Sequence, residues 1–219
     1  MTKFDPFGWF EHIIPMLWLH RIIRMFGVII VSVFLVLRVG QYHNYFWKPL
    51  WAAETLLFIV LIIAFIVRHN PVERSYGIKE IIVPLIGSVL PFGLLGTIPN
   101  IWITGNTTLL TVIFLWMTLA TVITIWGMWV LRHSFSITVE VRALVTCRPY
   151  CWVRHPVYMG EILAAAAVLV WRWSWLNSAI FLLFVIIQLL RSRWEESKLK
   201  KAFPAYNELL AKSRWLWNI

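Results

Sequence analysis

Residues 109 to 131 read LLTVIFLWMTLATVITIWGMWVL, a run without a single charged side chain. At about 1.5 Å of rise per residue, such a helix outreaches a hydrocarbon core roughly 30 Å thick. Lipid offers no partner to an unpaired backbone N–H, so a spanning segment is either a helix or part of a closed barrel. The run is continuously apolar and lacks the in–out alternation of a barrel strand. It therefore predicts a transmembrane helix.

Five more apolar runs flank it, at Ile22–Val39, Trp51–Val67, Ile78–Leu95, Val157–Trp171 and Ser174–Leu190. The Val157–Trp171 run is the shortest and is marginal as a crossing, one half of a helical hairpin with the run that follows. The expected fold class is all-α: a polytopic integral membrane helical bundle of five to six transmembrane helices, with a C-terminal helical hairpin. Composition agrees. Of 219 residues, 60% are hydrophobic and 14% charged, and mean hydropathy is +0.75. A soluble domain of this size needs more polar residues to cover its surface.

The net charge is +10. A basic balance can signal nucleic acid, but its placement here points to a membrane. Lys3, Arg21 and Arg24 precede the first crossing. Arg68, Arg74 and Lys79 follow the second. Arg132, Arg142, Arg148 and Arg154 follow the fourth, and Arg191, Arg193, Lys198, Lys200, Lys201, Lys212 and Arg214 follow the last. Only Arg38, Lys48 and Arg172 fall on the other side, and the loop Gly96–Thr108 carries no charge. This is the positive-inside pattern, and it predicts both termini in the cytoplasm. The partners implied are the lipid bilayer, with its anionic headgroups, and no nucleic acid. Trp residues such as Trp18, Trp47, Trp51, Trp102, Trp171, Trp173 and Trp175 gather at segment ends, as an interfacial belt requires. Cys147 and Cys151 fall on the predicted cytoplasmic side, where thiols stay reduced. With His155 they stand at four-residue steps, but no fourth ligand is evident, so no metal is expected. No cleavable signal peptide is evident.

Two regions are expected: 1–131, with four helices after an interfacial stretch reaching His20, and 132–219, with a polar loop, the hairpin and a charged tail. Pro84 and Pro91, with Gly87, Gly93 and Gly96, predict a kinked or broken third helix. The loop Arg132–Pro156 and the tail from Arg191 bracket the hairpin and so meet on one membrane face. A soluble cofactor would bind there. The last helix should run on to about Phe203, with Glu195, Leu199 and Phe203 on one face and Pro204 at its end. Glu196 sits off that stripe and reads as the spectator of the pair.

The chemistry-bearing residues crowd into this half. They are Arg142-Ala-Leu-Val-Thr-Cys-Arg-Pro-Tyr150, then Arg154-His-Pro-Val-Tyr-Met-Gly-Glu161, and Arg191-Ser-Arg-Trp-Glu-Glu196 with Leu199, Phe203 and Tyr206. Arg154 can pair a carboxylate bidentately. His155 can donate or accept. Tyr150 and Tyr158 offer ring faces to an adenine or a cation. Glu195 and Glu196 can take ribose hydroxyls or an amino group. Glu161 opens a membrane segment, where a lone carboxylate is costly, so it either pairs with an Arg or faces a pocket.

The Arg-His-Pro-x-Tyr-x-Gly run, followed after a hairpin by Glu-Glu-x-x-Leu-x-x-x-Phe and a Tyr, resembles the isoprenylcysteine carboxyl methyltransferase family and its relatives among phospholipid methyltransferases. The resemblance covers about Ser134–Tyr206. It implies a membrane enzyme that uses S-adenosylmethionine in a cytoplasmic pocket under the hairpin, with a lipophilic or prenylated acceptor entering from the bilayer. Carried over by position, His155, Pro156, Tyr158 and Gly160 would contact the cofactor. Glu195 and Glu196 would close its far side, Tyr206 and Tyr150 would border it, and Arg154 and Glu195 would serve the reacting centre. Ala143, Arg148, Cys151 and Leu209 depart from the family pattern. Two other classes compete: an NADPH-dependent reductase akin to membrane sterol reductases, and a non-enzymatic scaffold.

Overall fold

The structure is a computed structural model. It describes residues 16–75 and 77–207, with side chains from Arg21 onward. The interfacial stretch before the first helix, Lys3, Leu209, Lys212, Arg214 and the Trp18 side chain lie outside the described residues. The elements are α1 (Met16–Gly40), α2 (Lys48–Val67), α3 (Gly77–Val89), α4 (Ile101–Thr104), α5 (Thr107–Leu131), α6 (Pro156–Trp171) and α7 (Trp175–Ala202), with 3-10 turns at Tyr42–Asn44 and Leu90–Gly96. Among the described residues there is no named strand, only a single bridge between Glu73 and Val141. The chain is an integral membrane helical bundle. Five stretches are long and apolar enough to cross a bilayer: Arg21–Gly40, Lys48–Val67, Gly77–Gly96, Thr107–Leu131 and Trp175–Ala202.

The third stretch breaks as its prolines require. Pro84 is accommodated inside α3, but at Leu90-Pro91 the α-helix gives way to a 3-10 segment. Pro91 has no N–H to continue the ladder, and its ring crowds the preceding turn. Tetrapeptide α4 has too few residues for periodicity to announce it. It forms because the Asn100 side chain accepts from the Trp102 N–H at 3.0 Å. Asn106 caps α5 in the same way, and Ser174 caps α7.

Helix α6 has only 16 residues, about 24 Å at helical rise, yet it runs antiparallel along most of α5. At the far face its Trp171 carbonyl accepts from Asn100 N–H at 2.9 Å. The hairpin tip is locked there by the buried Asn177, which donates to Leu94 O, Thr97 Oγ1 and Arg172 O. At the basic face α6 starts low: Pro156 and Val157 lie against Gly127, one turn inside the end of α5. The preceding turn sinks with it, and the Tyr150 hydroxyl donates to the Gly127 carbonyl at 3.2 Å. A short α6 thus places the Tyr150–His155 turn below the basic surface, within reach of the apolar interior.

The same helix forms the centre of the packing. Val157 and Tyr158 join Val60, Ala64, Phe65 and Met128. Ala167 joins Leu50, Phe114 and Met117, and Ala165 joins Leu94 and Phe184. Small residues on α6 let its neighbours approach closely, as membrane helices favour.

The basic face is tied by polar bonds that hydropathy does not reveal. Arg142, buried in the long loop, donates to Glu140 and to the His69 carbonyl. Burial, and then the positive charge of Arg142, bring the Arg68 guanidinium down to about 10. Lys198 lies off the Glu195 stripe on α7, but it is buried rather than solvated. It reaches Glu80 of α3 at 2.6 Å and donates to the carbonyls of Val139 and Arg74. Lys198→Ala is expected to cost about 2–3 kcal/mol. That is below the roughly 3–5 of a fully buried pair, because Glu80 keeps partial access to water. The check is a lower midpoint for thermal unfolding of the detergent-solubilised protein.

Candidate active site

The Tyr150–His155 turn and the first half of α6 meet the basic end of α7. Arg154 donates to both carboxylate oxygens of Glu196, at 3.3 and 3.4 Å. His155 Nε2 lies 3.2 Å from Glu196 Oε1, and its Nδ1 lies 4.0 Å from Glu195 Oε2. The Tyr158 hydroxyl donates to Glu195. Arg191, one turn earlier on α7, stands 3.6 Å from Glu195, with its guanidinium 4.9 Å from the centre of the Tyr158 ring. The rings of His155 and Tyr158 are parallel at 5.3 Å. Two pieces of chain separated by the whole hairpin thus converge on one cluster.

The spectator assignment of Glu196 is corrected by this geometry, since Glu196 holds both Arg154 and His155. Glu195 and Glu196 are adjacent on α7, and both carboxylates reach the Arg154–His155 turn. Gly160 has a packing role. A Cβ there would collide with Thr124 Oγ1 and lie 2.8 Å from the Ala120 carbonyl. Its missing side chain admits α5. Pro156 likewise packs beside Gly127 and is fully buried. The Arg191 partnership was not drawn from the sequence, although its i, i+4 spacing to Glu195 was available as a signal.

A cavity of about 1070 Å³ opens on this cluster. Tyr150, Arg154, His155, Tyr158, Glu195 and Tyr206 line its basic end. Burial, and behind it the carboxylate of Glu196, hold the Tyr206 phenol well above its ordinary range, so it faces the cluster as a neutral hydroxyl. Burial does the same for Tyr150. From there the cavity continues between the helices past Phe65, Met128, Ala165, Met117 and Phe114 to Arg38, Tyr45 and Glu54 at the far face. On α5 alone its lining runs from Leu131 to Leu110, about 31 Å at helical rise, the depth of a hydrocarbon core. Its wall is largely apolar in the middle and polar at both ends.

The basic end offers what S-adenosylmethionine requires: carboxylates for an ammonium and ribose hydroxyls, a guanidinium for a carboxylate, and flat rings for adenine or a sulfonium. These residues fit the group. Cys147 and Cys151 are free thiols, and among the described residues no cluster of three or more His, Cys, Asp or Glu side chains could hold a metal ion.

Residues 100–206 match the family model described as phospholipid methyltransferase. The match takes in α5, the long loop, the hairpin and the Tyr206 turn. It supports a membrane methyltransferase in general. No curated protein and no solved structure gives a significant match.

Proposed function

We propose that this membrane methyltransferase uses S-adenosylmethionine as methyl donor and a lipophilic molecule as acceptor, either a lipid amine or a prenylcysteine-like carboxylate. One observation carries the reading. The polar cluster of Arg154, His155, Tyr158 and Glu195 sits at the mouth of a cavity that continues, apolar, into the membrane region. A water-soluble donor and a membrane-dissolved acceptor can meet only at such a junction.

When bound, the donor supplies an electrophilic methyl on a sulfonium. The chain supplies positioning. Arg154 and Glu196 fix the turn before α6, and Glu195 and Tyr158 fix the opposite wall. The stacked His155 and Tyr158 rings add a rigid flat surface. Methyl transfer is an in-line displacement, so holding the reactants a few ångströms apart and excluding water contributes much of the rate. The 132–219 region holds the donor side, and the helices of the 1–131 region wall the path of the acceptor chain. The basic face, with both termini, lies in the cytoplasm, where the donor is found.

Calorimetry on the detergent-purified chain tests the reading. S-adenosylmethionine is expected to bind and NADPH is not. Binding of NADPH alone would favour a reductase, and binding of neither would favour a scaffold.

A further inference from the structure

Four carboxylates line the cavity: Glu54, Glu140, Glu161 and Glu195. Three have a basic partner, namely Arg38, Arg142 and Arg191. Glu161 has none within ion-pair distance among the described residues. It accepts one hydrogen bond, from the Gln188 amide of α7. Gln188 is itself completely buried, and its Oε1 has no partner. Its amide holds one oxygen of Glu161, a residue that lines the cavity. Glu161 lies three residues beyond Tyr158 on α6, about 4.5 Å deeper along the helix. It is therefore on the acceptor side of the polar cluster.

A carboxylate at membrane depth outside any ion pair is costly and marks a functional position, and the nearby Arg191 is engaged with Glu195. A cationic ligand group would complete it, whereas an acceptor carboxylate would meet like charge. We propose that Glu161 reads the acceptor as an amine and takes its proton, an inference that rests on the function proposed above. A primary amine has a pKa near 10.4, so at pH 7 only about one molecule in a few thousand carries a free lone pair. Within hydrogen-bond reach of the ammonium, the Glu161 carboxylate accepts one N–H proton and becomes a neutral carboxylic acid. The freed nitrogen pair forms the N–C bond as the methyl–sulfur bond breaks. Sulfur keeps the bonding pair and leaves as a neutral thioether, and the product is a methylated ammonium. Glu161 then returns the proton to water at the basic mouth. The other groups facing Glu161 are Arg191 and Glu195 from α7, Tyr158 from α6 and Tyr150 from the loop.

The test uses hexadecylamine and hexadecanoate as probes on the full-length protein. Hexadecylamine binding, measured by calorimetry without donor, is expected to weaken at least tenfold in Glu161→Gln, with S-adenosylmethionine binding unchanged within twofold. With donor present, wild type should methylate the amine and not the acid. Glu161→Gln should lose about a hundredfold at pH 7, within the range of a lost general base. It should then recover about tenfold per pH unit toward pH 9, as solution supplies free amine. Preference for hexadecanoate in the wild type would overturn the inference, whether or not the variant folds. So would equal amine binding in the two proteins, or a uniform loss with an unchanged pH profile. Failure of the wild type to bind S-adenosylmethionine would instead sink the methyltransferase reading, and this inference with it.

Discussion

Glu195→Gln is expected to weaken S-adenosylmethionine binding by about 10- to 100-fold, and Arg154→Ala by a similar factor. A hydrogen bond to a charged group contributes roughly 1.5–3 kcal/mol, and each 1.4 kcal/mol is about tenfold in affinity. Glu195 is the point where Tyr158, Arg191 and His155 meet. Gln keeps the shape and a bond to Tyr158 but removes the charge that a bound cation would use. Arg154→Ala leaves Glu196 with His155 alone and loosens the turn that sets the start of α6. Lys201, exposed near the end of the same helix, is the control, and Lys201→Ala should stay within twofold. Isothermal calorimetry in detergent measures all three. Equal, small effects at the three positions would remove the cluster from the donor site.

Gly160→Val is expected to cost the most stability of any single change considered. The added Cβ would meet the Ala120 carbonyl and the Thr124 backbone N, both at 2.8 Å, as well as the Thr124 hydroxyl. Backbone cannot rotate aside, so α6 must move away from α5. Overpacking in a filled core costs about 1–3 kcal/mol and occasionally more. Here the displaced helix takes part in all three apolar clusters, so about 3 kcal/mol or loss of the folded protein is expected. Size-exclusion profile and thermal midpoint in detergent check it. Gly160→Ala brings the same Cβ and differs only in bulk, so it should also destabilise. A variant as stable as wild type would mean that α5 and α6 pack differently.

Most of the architecture was legible because lipid leaves the backbone few choices. Five of the six apolar runs became helices long and apolar enough to cross, namely α1, α2, α3 with its 3-10 extension, α5 and α7, and the marginal fifth run became the shorter α6. Pro91 announced the break in the third. The convergence of the Arg154 turn with α7 followed from topology, since the loop and the tail bracket one hairpin. What stayed hidden depends on rotation and depth, which hydropathy does not encode. Whether Gly160 faces a ligand or a helix is set by the angle of α6 around its own axis. Lys198 reads as one more positive-inside anchor until α3 and the long loop are folded over it. The orientation of Glu196 toward Arg154 depends on how far the Tyr150–His155 turn sinks. That depth comes from Gly127, a residue no motif singles out.

The central claim is that donor and acceptor meet at the junction between the polar cluster and the apolar cavity. Membranes containing the full chain should be incubated with S-adenosylmethionine carrying a tritiated methyl group, and the organic-phase extract counted. Label should pass into an organic-soluble product, and the transfer should fall at least tenfold in membranes carrying Glu195→Gln. Label that stays wholly in the aqueous phase, or that transfers equally with the variant, would contradict it.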